Sequence, residues 1–593
     1  MPVVEAESPL RVKTPRIPGR RDRRASNPAC GEESRTYTAA MANGTCRIVA
    51  LGGLGEVGKN LTVYESDGSI VVVDAGLAFP RDEHLGVDLV LPDFSYLRER
   101  ADSIRAVILT HGHEDHVGGL PYLMREVRIP EVWATRLTLG LIKSKLDEHG
   151  LLRSADLHEI HPDDPPREAG AFRVGFVRMA HSIPDCVAVV LESPGGRIVH
   201  TGDYKLDHTP VDGLKTDVGR LAELGNQGVD LVLGDSTNAE RPGFTASERV
   251  VGEAFRQIIP LRRGRVLVSS FASNVHRMQQ AVDIAVQVGR KVCIVGRSMR
   301  KNANIARNLG YMDVPEDVLV RPPELDELPP HEQLILCTGS QGEPLSALTR
   351  IAYNDHPAIS VERGDTVIIS AKPVPGNELR VHDAINQLAK RGAEVLHQEI
   401  APVHVSGHAC SEEIRTLISL LRPRAVMPVH GEYRMQAAHA QLARDAGVPA
   451  NAIVMAENGT VVELSREGAR IVDEVESGVT FVDGLGVGDV HDVALRDRRR
   501  LSEDGVLIIV ATLAGMNGSA AGPPELIARG FGDDSGPLLD ELRDEADRVL
   551  QQCLADEISE IKLLQEHLHD EVGQLVYDRT RRRPMILPVV VEV

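Results

Sequence analysis

The stretch Thr110-His111-Gly112-His113-Glu114-Asp115-His116 crowds three histidines and an aspartate into one short segment. It follows an apolar run, Ile104 to Leu109, that reads as a buried strand. Behind it, Val117-Gly118-Gly119-Leu120-Pro121-Tyr122-Leu123 begins a helix with Pro121 in its first turn. The cluster therefore sits on a strand-to-helix loop. Imidazole nitrogen and carboxylate oxygen are ligands that zinc accepts. His-x-His-x-Asp-His spacing points side chains alternately to two sides of a tight loop, which suits two metals better than one. The plainer reading, a solvated loop that happens to be rich in histidine, leaves this ligand chemistry without a use.

His111 to His116 resembles the signature of the metallo-β-lactamase superfamily. From Cys46 to Val593 the chain resembles one branch of it, the β-CASP nucleases, and within them bacterial ribonuclease J. The resemblance implies an α/β fold: a metallo-β-lactamase αββα sandwich, an inserted α/β β-CASP domain, and a small α+β C-terminal domain.

Size and composition agree with a multidomain chain. At 593 residues it exceeds one ordinary core, and length alone suggests about four domains. The apolar fraction of 42% is that of a globular protein. No apolar run reaches membrane-spanning length, and the N-terminus has no apolar leader segment. The seven cysteines are dispersed and form no Cys-x-x-Cys pair, which argues for a reducing compartment and predicts a cytoplasmic protein. A net charge of −20 argues weakly against a nucleic-acid substrate. It is a global average, and a local groove or bound cations can still attract phosphate.

In chain order, residues 1–40 show no hydrophobic period and carry a basic knot at Arg20, Arg21, Arg23 and Arg24, so a disordered tail is expected. Either this tail is an arm that touches RNA, or Met41 is the true start. The first part of the metallo-β-lactamase domain is expected over 41–240. Within it Gly53-x-Gly55-x-x-Gly58 matches the dinucleotide fingerprint, which requires a helix next. Two strands and an Asp67-Gly68 turn follow instead, so nicotinamide binding is rejected and a glycine-rich loop beside the site is expected.

Asp74, Asp203 and Asp235 each follow or end an apolar run, and fit one sheet whose carboxyl ends face the site. His181 follows a strand-like segment, Ala171 to Val177. The resemblance sorts these residues. It places His111, His113 and His181 on one metal, Asp115, His116 and His430 on the other, and Asp203 as a bridge between them. Asp74 and Asp235 support ligands rather than bind metal, as acids that orient imidazoles do. Catalysis falls to Asp115, Asp203 and His408, with His408 at the leaving 3′ oxygen.

From about Ser247 the texture changes to alternating strands and helices, a parallel α/β insert expected over 241–400. Its loops, Phe271 to Arg277, Gly296 to Ser298 and Thr338 to Glu343, have the small polar residues that offer backbone N–H groups to anions. Ordinary βα loops look alike, so loop type alone leaves phosphate contact open. The resemblance adds Ser273, Asn274 and Val275 as substrate contacts, with His404, Val405, Ser406, Gly407 and His408 along the scissile phosphate. The second part of the metallo-β-lactamase domain is expected over 401–462, and a linker with the C-terminal domain over 463–593. There, Leu538 to Leu568 recur near helical spacing, and Pro584 to Val593 read as an extended strand that needs a partner.

The resemblance further implies two zinc ions per subunit, replaceable by manganese or magnesium, and a structural calcium site involving Asp483. It implies RNA as substrate, in rRNA and mRNA maturation and decay, cut internally and from the 5′ end to leave 5′-phosphates. It implies a homodimer or homotetramer through the C-terminal domain, an RNA-degradation complex as partner, and no membrane. The alternatives are a DNA-directed β-CASP nuclease, against which His430 speaks, and a small-ester hydrolase, which needs no insert. A non-catalytic RNA scaffold would not need a complete ligand set.

Overall fold

The hairpin expected after the glycine-rich loop is the spine of the larger sheet. In the computed structural model, which describes residues 44–592 other than 82, 344, 375–376, 485, 489–491, 515–518, 531–535 and 559, Leu61–Ser66 and Ser69–Val73 pair antiparallel. Asp67 and Gly68 take φ of 45° and 69°, the primed-turn geometry that matches the twist of paired strands. The tail to residue 40, its arginine knot and Met41 lie outside the described residues.

Eight strands run in the order Gly468–Glu474, Thr460–Ser465, Cys46–Gly52, Leu61–Ser66, Ser69–Val73, Ile104–Ile108, Val132–Ala134, Leu157–Glu159. A second sheet of six runs Ala425–Val429, Leu231–Asp235, Gly196–His200, Cys186–Ser193, Phe172–Met179, Arg167–Ala169. Strand residues alternate between faces, and here both faces are buried. Ile48, Tyr64, Val71 and Ile108 meet Phe172, Val189, Ile198 and Met427 between the sheets. The opposite face of the first sheet, with Val49, Val63 and Val72, packs under Leu120, Leu123, Leu139 and Ile142 from helices Leu120–Glu126 and Arg136–Glu148. The outer face of the second sheet packs Val199, Val232 and Val426 against Leu221, Ile414 and Leu417 of helices Val218–Gln227 and Ser411–Leu421. This is the αββα sandwich.

The insert is a sheet of five parallel strands in the order Lys291–Val295, Gln333–Cys337, Val266–Ser269, Thr366–Ile369, Glu394–Leu396. Helices Val275–Gln287 and Arg297–Leu309 cover one face, and Ala347–Ala352 and Glu378–Lys390 the other. The first pair shares a continuous core with the outer layer of the sandwich, so the insert is packed on the sandwich rather than tethered to it.

Two expectations change. The acids do not share one sheet: Asp74 follows a strand of the eight-stranded sheet, while Asp203 and Asp235 belong to the six-stranded one. Strand-end position reports which way a strand points, not which layer it joins. The boundary expected at 462 falls inside a strand. Thr460–Ser465 and Gly468–Glu474 both extend the sandwich, the second with five of its seven residues exposed and none buried, so no apolar alternation marked it.

Beyond residue 500, Val506–Ala514 pairs antiparallel with Ser519–Ala520 and Glu525–Arg529, and parallel with Met585–Glu592. The terminal strand thus finds its partner inside its own chain. The helical stretch is two helices, Gly536–Ala555 and Ile561–Thr580, which cover the buried face at Leu507, Ile509 and Leu513. Among the described residues no helix is long and apolar enough to cross a membrane.

Candidate metal centre and substrate cleft

Six strands from two sheets deliver the site at their carboxyl ends. Ser69–Val73 leads to Asp74, and Ile104–Ile108 to the His111–His116 segment. Phe172–Met179, Gly196–His200, Leu231–Asp235 and Ala425–Val429 lead to His181, Asp203, Asp235 and His430. Asp115 and His116 sit on a one-turn helix, Glu114–Val117, that the sequence did not announce. Asp74 and His430 are held at φ of 64° and 51°, a region that residues other than glycine rarely occupy and that clusters at functional sites.

Two groups of ligating atoms form around one carboxylate. Nδ1 of His113 lies 3.0 Å from His111 Nε2 and 3.2 Å from His181 Nε2. Asp203 Oδ2 stands 3.6 Å from each of those two Nε2 atoms. On its other side it lies 3.3 Å from Nε2 of His116 and 3.3 Å from Nε2 of His430. Asp115 Oδ2 joins these at 3.5 and 3.7 Å. A third group, Asp203, Asp235, His408 and His430, is also close enough to ligate. There, however, Asp235 Oδ2 and His408 Nδ1 satisfy each other at 2.8 Å.

The outer atoms of the ligands are tied down. Asp74 accepts from His116 Nδ1 at 2.7 Å and from the Thr110 amide at 2.8 Å. Thr110 Oγ1 lies 3.0 Å from His111 Nδ1. The Gly407 carbonyl accepts from His181 Nδ1 at 2.8 Å. Each bond fixes a ring and leaves its Nε2 to face the centre, which is how ligating imidazoles are oriented. Asn60, unforeseen in the sequence, places its amide 3.1 Å from His116 Nε2 and 3.1 Å from the Asp115 carbonyl. Its position in the glycine-rich loop beside the site was the available signal.

Burial drives the rings of His111, His113 and His181 below the ordinary histidine range, His113 to about 4. They are held neutral, the form that ligates metal. Burial also opposes a charge on His116, but Asp203, Asp115 and Asp74 outweigh it and raise the ring well above that range. Asp203 Oδ1 and both ring nitrogens of His430 are buried without a hydrogen-bond partner. Orphaned polar atoms of this kind are rare and costly. A divalent cation satisfies nitrogen and carboxylate oxygen alike, so the residues present fit bound metal.

The segment before helix Ser411–Leu421 alternates: His404, Ser406 and His408 are half-buried, whereas Val405 and Gly407 are buried. Val405 and Val275 bury their side chains in the core, which leaves only their backbones for a substrate. Asn274 spends its side-chain oxygen capping helix Val275–Gln287 at the Arg277 amide, while Ser273 stays half-buried beside it. Gly407 has a definite reason to be glycine. A Cβ there would stand 2.5 Å from Cε1 and 2.6 Å from Nδ1 of His181. Gly407→Ala is therefore expected to displace that ring and weaken metal affinity by roughly 10–100-fold, as loss of an orienting partner does. Metal titration of the stripped protein measures it, and unchanged affinity would detach this loop from His181.

Asp483 Oδ2 lies 2.6 Å from Nη2 of Arg498, and among the described residues no group of three ligating side chains includes it.

Comparison with known proteins follows the same layout. The model described as metallo-beta-lactamase superfamily matches residues 54–268, ribonuclease J, beta-CASP domain matches 263–388, and ribonuclease J C-terminal domain matches 493–593. Residues 392–454 match the Zn-dependent metallo-hydrolase RNA specificity domain. Ribonuclease J2 of Bacillus subtilis is 42% identical over 549 residues, 92% of this chain and 98% of that one. The chain belongs to the ribonuclease J family. Membership makes it a metal-dependent ribonuclease of the β-CASP branch. Ribonuclease J of Thermus thermophilus is 44% identical over 92% of this chain and 95% of its own length. A solved structure of unknown function from Enterococcus faecalis, 14% identical, aligns over 71% of this chain and 100% of its own with a TM-score of 0.51, a likeness of fold alone.

Proposed function

We propose that this ribonuclease uses two zinc ions to hydrolyse phosphodiesters of rRNA and mRNA, leaving 5′-phosphate ends, both internally and from the 5′ end. One observation carries the reading: a single oxygen, Asp203 Oδ2, lies 3.3–3.6 Å from Nε2 of four histidines. A carboxylate shared by two imidazole groups is what a two-ion site requires. His111, His113 and His181 hold one ion with Asp203, and Asp115, His116 and His430 hold the other. Nitrogen and oxygen donors suit zinc, with manganese or magnesium as substitutes. When bound, such a pair activates water and neutralises charge growing on a phosphoryl oxygen.

The chain's own residues do the rest. Asp235 accepts the Nδ1 proton of His408 at 2.8 Å and, with Asp203, favours a charged ring against burial, so a second proton on Nε2 is available to the leaving 3′ oxygen. Ser406 Oγ accepts from Asn238 Nδ2 at 2.8 Å, which leaves its hydroxyl hydrogen for a phosphate oxygen. The half-buried row of His404, Ser406 and His408 holds the scissile phosphate, and Ser273, just before helix Val275–Gln287, holds the 5′ terminus. A wall of fixed donors admits a monophosphate and excludes a triphosphate by clash and unpaired charge.

Exonuclease action is therefore expected to prefer 5′-monophosphate RNA over 5′-triphosphate RNA, while internal cleavage does not discriminate. Ser273→Ala with Ser406→Ala is expected to lose most of that preference and keep the metals. The test compares 5′-monophosphate, 5′-triphosphate and DNA versions of one oligonucleotide, labelled at either end. Equal cutting of the DNA version would remove the selectivity for RNA. Self-association as a dimer or tetramer is assigned to the C-terminal sheet, whose uncovered face leaves Ile527, Leu587, Val589 and Val591 41–44% exposed. The enzyme acts in the cytoplasm, within an RNA-degradation assembly.

A further inference from the structure

The largest fully buried side chain among the described residues is a cation, Arg277. It lies on helix Val275–Gln287 of the insert, and its exposure is 1%. Burying an ion pair is weak evidence of a stability role, because apolar residues of like volume often do as well or better. Its partners point elsewhere. Nε and Nη2 each lie 2.8 Å from the two carboxylate oxygens of Glu248, itself buried, so the charge is met by a two-pronged pair. Nη1 donates to the Ser370 carbonyl at 2.6 Å, and Nη2 to the Val405 carbonyl at 3.3 Å. Nη1 also lies 2.9 Å from Nδ1 of His404.

The guanidinium sets the direction of that last contact, although the Ser370 carbonyl beside it also bonds the ring and favours a proton there. A guanidinium carries five N–H donors, has no acceptor, and does not deprotonate in proteins. Nδ1 of His404 must therefore be the acceptor, and the ring proton must sit on Nε2. Burial, and after it the neighbouring cation, disfavour a second proton on the ring. His408, four residues on, has the opposite partner: a carboxylate, Asp235, on its Nδ1. The guanidinium makes the first histidine a neutral donor that cannot give its proton away. The carboxylate makes the second a ring that can carry and release one.

We propose that Arg277, held by Glu248, is a positioning residue that fixes His404 as the neutral Nε2–H tautomer, so that its ring offers one N–H donor to the substrate phosphate and leaves proton delivery to His408 alone. The phosphate contact rests on the function proposed above. The tautomer is a property of the free protein and stands or falls separately.

The experiment is a long-range proton–nitrogen NMR spectrum of the full-length, metal-loaded protein labelled with ¹⁵N-histidine, with His404 assigned by its loss in His404→Gln. At neutral pH a protonated Nε2 and an unprotonated Nδ1 are expected. A protonated Nδ1, alone or with Nε2, overturns the proposal. In Glu248→Gln/Arg277→Gln, which removes both charges and keeps volume, His404 is expected to populate both tautomers, because a glutamine amide can accept as well as donate. An unchanged tautomer in that variant also overturns it.

Steady-state kinetics on RNA give a second measure that survives if the double variant fails to fold. The amide nitrogen of glutamine reaches the place of Nε2, and that of asparagine only the place of Nδ1. His404→Asn is expected to raise KM on the order of tenfold more than His404→Gln does, the worth of a hydrogen bond to a charged group, with similar kcat. Equal KM values would remove the Nε2 contact with phosphate. A wild-type enzyme inactive on RNA but with the expected tautomer would sink the proposed function and not the tautomer assignment.

Discussion

Asp203→Ala is expected to abolish hydrolysis and strip the centre of metal while the chain stays folded. The carboxylate is the one group shared by both ligand sets, at 3.3–3.6 Å from four imidazoles. Removing it costs each ion a ligand and uncouples the pair. Losing a mere orienting partner costs metal sites about 10–100-fold, and loss of a shared ligand is expected to exceed that. The fold should tolerate the change, because Asp203 Oδ1 has no hydrogen-bond partner to strand and the removed group is a buried charge. Elemental analysis beside an RNA cleavage assay decides the matter. Near-normal turnover with two bound zinc ions would end the assignment.

His408→Ala is expected to slow cleavage by about 10²–10⁴-fold, the usual worth of a general acid, with both metals retained. Nδ1 of His408 is committed to Asp235 at 2.8 Å and stands 3.8 Å from Asp203. Burial opposes a charge on this ring, but Asp235 and Asp203 overcome it and raise it to about 9. The sign follows: the acid form is present below that value, so the rate falls as pH rises through it. Bound dications repel the imidazolium and bring that fall closer to neutrality. The alkaline limb of the pH–rate profile should vanish in the variant. A loss of one zinc ion instead would make His408 a ligand, as its closeness to Asp203 and His430 permits.

Much of this centre was legible because it is local. His111, His113, Asp115 and His116 lie within one short segment, whose spacing already set ligand groups on two sides of a single loop. The Asp67-Gly68 hairpin was legible for the same reason, since a two-residue turn sets its own geometry, and it excluded a nucleotide-binding helix. Apolar runs before Asp74, Asp203, Asp235 and His430 marked strand ends, because buried strands must be apolar whatever their neighbours.

Tertiary structure decided what depends on two distant segments meeting. That Asp74 and Asp203 come from different sheets follows from layer order, which no strand carries in its own residues. Gly468–Glu474 joined the sandwich unannounced because edge strands exposed to water need no alternation. The glycine at 407 is explained only by His181, 226 residues away, whose ring fills the space of a Cβ. Arg277 reads in sequence as one more charged helical residue. Only folding buries it, sets Glu248 against it, and aims it at His404, 127 residues away. Side-chain chemistry near the cleft was written locally, but the tautomers and charges that chemistry needs come from partners across the fold.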